Sequence, residues 1–161
     1  MARLATIGVY GFDGPSFIRT LEEAGVTLVL DVRQRRGVRG SEYAWANRRR
    51  LEAALAEAGI AYSHLPELAP TTEMRQLQYR EDDRRGEGKR SRTKLAPEYV
   101  QRYEAESLGH VDLAPIVNWI GTKQAALLCV EKDPEACHRS LIAERLRQEF
   151  GFEIEHLKPS D

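Results

Sequence analysis

Short apolar runs alternate along the chain with segments whose apolar residues recur at helical spacing. Residues 4–10 form a first run that stops at Gly11, and residues 15–24 follow with Phe17, Ile18 and Leu21 on one face and Gly25 as the terminator. The run 26–32 is broken by Asp31, the pattern of a buried central strand whose last residues reach a polar end, and Arg33 sits just past it. Leu51, Leu55 and Ala58 predict a helix over 43–58 that ends at Gly59, and residues 60–65 make a third strand. Residues 66–95 show no sustained period and read as a mobile insertion or lid. Pro97 opens a helix carrying Tyr99, Val100 and Tyr103, and a shorter helix covers 115–120 before Gly121. Residues 123–130 form the fourth strand. Asp133-Pro134 then caps a helix running to about Phe150, and 152–157 alternate as a half-buried edge strand. This succession predicts an α/β single domain, a largely parallel sheet of about five strands flanked by helices, with a long insertion loop.

Composition narrows the class. A chain of 161 residues with 42% hydrophobic and 30% charged positions has the make-up of an ordinary globular domain and excludes fibrous or wholly disordered chains. The longest apolar stretches, such as 125–130, fall far short of the ~20 residues a membrane span needs, and the N-terminal residues lack a signal-peptide pattern. The expectation is a cytoplasmic protein with no membrane partner. Two cysteines are too few for a disulfide framework, so each thiol is either core filler or chemistry.

The net charge of -1 hides an asymmetry. Residues 31–50 hold Arg33, Arg35, Arg36, Arg39, Arg48, Arg49 and Arg50 against Asp31 and Glu42 alone. A second basic cluster, Arg84, Arg85, Lys89, Arg90, Arg92 and Lys94, is diluted by Glu81, Asp82, Asp83 and Glu87, and Gly86 and Gly88 mark it as a loop. Charge runs usually serve as solvated surface; the sharper alternative is a face for anions or nucleic acid.

Ligands of open α/β sheets collect outside the carboxyl ends of the strands. The polar residues expected there are Tyr10, Asp31, Arg33, His64, Glu67, Cys129 and Glu131, followed by Cys137, His138 and Arg139. Cys137, placed in the first turn of a helix, would have its thiol pKa lowered by the helix dipole, and Arg139 would offer a bidentate fork to a carboxylate or phosphate. His138 could act as a general base or make a structural hydrogen bond, Cys129 and Cys137 could be small core residues, and Asp31 with Arg33 could be a structural ion pair. Four histidines and two cysteines lack the paired short spacings of a zinc site, so no metal is assigned. With no Gly-x-Gly-x-x-Gly, no phosphate loop and no Gly-x-Ser-x-Gly elbow, no cofactor is expected. The short Cys-to-Arg loop of tyrosine phosphatases and rhodaneses is missing too.

Thr6-Ile7-Gly8 with Tyr10, Asp31-Val32-Arg33, Gly59-Ile60-Ala61-Tyr62 with His64, Leu127-Leu128-Cys129-Val130-Glu131, Cys137-His138-Arg139 and Glu155-His156-Leu157 together resemble the DUF488 family, small bacterial and archaeal domains without an established function. The resemblance spans nearly the whole chain. It implies an α/β fold and a polar site from Asp31, Arg33, Cys129, Glu131, Cys137, His138 and Arg139, and it supplies no substrate. Many similar chains carry a proline and serine soon after Asp-Val-Arg, whereas here 34–43 is arginine-rich, and Leu68-Ala69-Pro70 replaces Leu-Gly-Gly.

The expectation that follows is an anion-binding pocket, for phosphate or carboxylate, at the strand ends. Its catalytic candidates are Cys137, His138 and Glu131, in a thiol- or histidine-assisted reaction. Tyr10, Asp31, Arg33, His64, Cys129 and Arg139 are the ligand-binding candidates, with Arg33, Glu131, Cys137, His138 and Arg139 lining one concavity. Two alternatives stay open: a nucleic-acid-binding module using the arginine-rich face, and a non-catalytic interaction domain.

Overall fold

Five strands, β1 (Arg3–Ile7), β2 (Leu28–Asp31), β3 (Ala61–His64), β4 (Ala125–Leu128) and β5 (Glu153–Leu157), form one parallel sheet in the order β3-β2-β4-β1-β5. This is a computed structural model, which describes residues 2–88 and 90–160. Lys89 of the second basic cluster lies outside the described residues. The central strands β2 and β4 are buried along their whole length, while the edge strands β3 and β5 are largely accessible, matching the continuous apolar runs of the former and the mixed sequences of the latter.

Between β1 and β2 runs α1 (Gly14–Glu23), opened by a reciprocal cap in which Ser16 N donates to Asp13 Oδ1 and Asp13 N to Ser16 Oγ, with Pro15 in the first turn. Its buried face carries Phe17 and Leu21. Helix α2 (Arg48–Glu57) packs on β3, and α6 (Arg139–Phe150) packs on β1, β4 and β5. Helices α4 (Pro97–Arg102) and α5 (Ala114–Ile120) lie between β3 and β4 in the chain. Among the described residues no helix is long and apolar enough to cross a membrane.

Three expectations need correction. Residues 66–95 are not a structureless insertion: they hold a 3-10 turn at Pro66–Leu68 and α3 (Thr72–Arg85), which packs against α4. Thr71 caps α3 through Met74 N, and Gly86 ends it at φ 72°, a left-handed position that suits glycine. Apolar periodicity misses this helix because two of its four buried side chains, Gln78 and Asp82, are polar. The helix expected over 43–58 is two pieces, a 3-10 segment Ser41–Ala46 and α2, separated by extended Asn47. The helix expected from Asp133 is likewise interrupted. A 3-10 turn at Pro134–Ala136 is followed by Cys137 at φ -139° and ψ 147°, so Cys137 precedes α6 and is not in its first turn.

The chain leaves β2 toward β3 on one side of the sheet and leaves β4 toward β5 on the other. A crevice opens between neighbouring strands whose connections diverge in this way, and the strand order puts it between β2 and β4.

Candidate functional site

Asp31 ends β2 and Arg33 follows two residues later, so both side chains leave on the same side. Arg33 donates from Nε to Asp31 Oδ1 at 2.9 Å and from Nη2 to Asp31 Oδ2 at 2.8 Å, and its Nη1 donates to Ala46 O at 3.0 Å. Tyr62 on β3 donates its hydroxyl to Asp31 Oδ2 at 2.6 Å, and burial, opposed by Arg36 and aided by Asp31, pushes that hydroxyl up to about 12. His64 Nε2 donates to Arg33 O at 2.8 Å. Asp31, Arg33 and His64 thus tie β2, β3 and the end of the 3-10 segment at Ala46 together.

Beyond β4 the backbone is held tightly. Val130 O accepts from the N–H groups of Val9 and Tyr10, and a Cβ on Gly8 would stand 1.9 Å from Glu131 O, so only glycine fits there. Arg139 is fully buried, and its guanidinium donates to Glu131 O at 2.6 Å, Lys132 O at 3.2 Å and Thr6 Oγ1 at 3.2 Å. It organises the loop from inside and offers no fork to the cavity.

His138 Nε2 donates to Val32 O at 2.8 Å, which leaves Nδ1 facing two sulfurs, Cys129 Sγ at 3.6 Å and Cys137 Sγ at 3.7 Å. These three ligand atoms lie within 4.8 Å of one another. Glu131 Oε2 is 3.6 Å from Cys129 Sγ, and Arg92 Nη2 donates to Glu131 Oε1 at 3.2 Å. Burial pushes the Cys129 thiol well up, reinforced by Cys137 and Glu131. Burial also opposes ionisation of Cys137, but the hydrogen bond from Cys129, the His138 ring and the Arg139 charge hold its thiol well below the ordinary value. Those contacts replace the helix dipole expected for Cys137. His138 is raised: burial favours the neutral ring, and Cys137 together with the Val32 carbonyl outweighs it.

A cavity of about 50 Å³ fills the β2–β4 crevice, with Arg33, Arg92, Cys129, Glu131 and His138 in its wall. Of the five residues expected to share one concavity, Arg33, Glu131 and His138 do, whereas Cys137 lies behind Cys129 and His138 and Arg139 lies inside the loop. Arg35, Arg75 and Tyr79 line both this cavity and a cleft of about 620 Å³, so the two adjoin. Tyr10, Arg39, Arg90 and Ser91 complete the polar lining of the cleft, which holds four arginines and no acid among the described residues. Glu67 lies apart, exposed in the 3-10 turn after β3.

Residues 86–88 and 90–95 run over this site as a strap. Arg92 is buried, 3.5 Å from Asp82 in an ion pair and bonded to Glu131. Arg90 lies over the rings of Tyr10 and Tyr43 at 5.2 and 5.1 Å, pairs with Glu42 at 3.2 Å and donates to Arg39 O at 2.9 Å.

The arginines of 31–50 do not share one face. Arg33 is inside, Arg35 and Arg39 line the cleft, and Arg36 and Arg48 pair with Glu52 at 3.6 and 3.3 Å. Arg75, Gln78 and Tyr79 had no place among the expected site residues. Their spacing with Asp82, three to four residues apart, was the available signal: a polar stripe on the inward side of α3.

The family model described as Domain of unknown function DUF488 matches residues 15–146. Comparison with curated proteins finds no match, and neither does comparison with solved structures.

Proposed function

The chain belongs to the DUF488 family, whose description names no function, and from that premise we propose that the cleft and the cavity behind it bind a small ligand bearing a phosphate or carboxylate. The observation that carries this reading is the lining of the cleft: Arg35, Arg39, Arg75 and Arg90 beside the rings of Tyr10 and Tyr79, with no acid among the described lining residues. A volume of about 620 Å³ suits a small molecule, and guanidinium groups are the donors best matched to planar or tetrahedral oxyanions. Arg35 makes no hydrogen bond or ion pair with another described residue, so its donors are available to a ligand. The anion takes the cleft, and the rest of the ligand points to the inner cavity, where the Glu131 carboxylate stands beside the Cys129 thiol.

Calorimetric titration with inorganic phosphate and pyrophosphate tests this. The expected result is saturable binding that weakens about tenfold in Arg35→Ala, equal to roughly 1.4 kcal/mol, with a shallow dependence on salt. No saturable binding of either anion, together with binding of a single-stranded oligonucleotide that falls steeply with salt, would overturn it in favour of nucleic acid.

A further inference from the structure

The two sulfurs and one imidazole nitrogen behind the cavity have an arrangement that neither core packing nor anion binding requires. His138 Nε2 bonds to a backbone carbonyl, which only accepts; this nitrogen therefore carries a proton, and Nδ1 is the ring nitrogen turned to Cys129 Sγ and Cys137 Sγ, where it can serve as a ligand. A histidine whose second nitrogen is anchored on a carbonyl is the usual support of a metal ligand, because it fixes both tautomer and ring plane. The spacing agrees. In a tetrahedral site with metal–sulfur bonds of about 2.3 Å and metal–nitrogen bonds of about 2.05 Å, sulfur and nitrogen stand roughly 3.6 Å apart. The two separations here are 3.6 and 3.7 Å.

We propose that Cys129 Sγ, Cys137 Sγ and His138 Nδ1 bind a zinc-class divalent ion, whose fourth position opens to the cavity beside Glu131. Two thiolates and a neutral imidazole are the soft donors such an ion selects, and its charge cancels that of the sulfurs in a place where neither thiolate reaches water. Binding displaces the protons shared among the two sulfurs and Nδ1, which go to solvent as the metal–sulfur and metal–nitrogen bonds form, with no change of oxidation state. The ligands come from two pieces of chain, Cys129 just after β4 and the pair Cys137-His138 just before α6, held together by the turn Pro134–Ala136 and by Arg139 beneath the loop. The cavity, lined by Cys129, His138 and Glu131, supplies the approach and the room for a water as fourth ligand.

The test uses the full chain, reduced and stripped with a chelator, then titrated with cobalt(II) as a spectroscopic stand-in for zinc under reducing, anaerobic conditions. One equivalent per chain is expected to give thiolate-to-cobalt charge transfer in the near ultraviolet and the intense visible bands of tetrahedral cobalt, all bleached by zinc. Cys129→Ser, Cys137→Ser and His138→Gln are each expected to weaken uptake by tenfold or more. If the reduced wild-type chain takes up no cobalt, or binds it without charge transfer from sulfur, the proposal fails, and this measurement decides the matter even where a variant does not fold. Uptake unchanged in folded Cys137→Ser would sink it equally. No anion is present in the titration, so its outcome is independent of the cleft reading.

Discussion

Arginine does opposite work in two adjoining regions of this molecule. Along the inner wall Arg33 and Arg139 are 1% and 0% exposed, and every guanidinium nitrogen of both has an acceptor in the chain. In the outer cleft Arg35 and Arg39 are exposed and carry no acid partner. A buried guanidinium is tolerated only when its nitrogens find partners inside, so the inner pair is committed to the chain's own acceptors, whereas the outer residues keep their donors in water until a ligand arrives. Proximity to a cavity therefore says little about which arginine recognises an anion; the accounting of its donors says more.

The largest effect should come from the inner wall. Arg33→Ala leaves Asp31 buried with only Tyr62 and the Arg33 backbone N–H as donors, and breaking a buried pair in this way costs about 3–5 kcal/mol. Urea unfolding followed by circular dichroism measures it, and a loss below about 1 kcal/mol would erase the division between the two kinds of arginine. Next in size, Arg35→Ala is expected to leave stability within about 0.5 kcal/mol of the parent while weakening anion binding, the reverse of the inner pattern. The contrast breaks if Arg35→Ala unfolds the chain.

Arg90 tests the border between the regions, because it joins the strap to Tyr10, Tyr43 and Glu42 on an exposed surface. Arg90→Ala should speed amide exchange of residues 86–91 and leave exchange around buried Arg92 unchanged. Uniform acceleration through 86–95 would show that the strap is held as one piece by its surface contacts.

The smallest effect concerns pH. His156 lies below the ordinary histidine value, first because its ring is partly desolvated and then because of the Arg139 and Lys158 charges, and its Nδ1 takes a 2.6 Å hydrogen bond from Thr6, whose oxygen already accepts from Arg139. The folded chain thus favours the neutral ring, and the unfolded chain binds more protons as pH falls through about 6.5, so stability is lost from there downward. His156→Asn should flatten this part of the stability–pH curve; an unchanged slope between pH 7 and 5, roughly the range over which histidine titrates, would remove His156 as its source.

Much of the fold was legible because the buried strands β2 and β4 are written as unbroken apolar runs. Helix α3 was not, because its inward face is polar: Gln78 accepts from Ala96 N and Asp82 faces Arg92, contacts with partners distant in the chain. The rim residues Asp31, Arg33, Cys129, Glu131 and His138 could be placed from strand ends alone. Which way each points could not. Arg139 turns to the carbonyls of its own loop and Cys137 stops short of its helix because of local hydrogen bonding around residues 131–140 that no periodicity reports. The meeting of Cys129, Cys137 and His138 was hidden in the same way, since eight residues separate the sulfurs in the chain and a turn closes that gap in space.

The position of β4 also orders events in time. It is fourth to be synthesised yet lies at the centre of the sheet, and β1 and β2 touch only through it. A nascent chain that has not reached residue 125 can pair β2 with β3, but it leaves β1 without a neighbour and the facing edge of β2 open. The sheet consequently closes late, by insertion of its middle strand between two waiting edges, through contacts well over a hundred residues apart for β1 and nearly as many for β2. The same insertion delivers Cys129 and Glu131 to Arg33, so the pocket and the centre of the sheet are completed together.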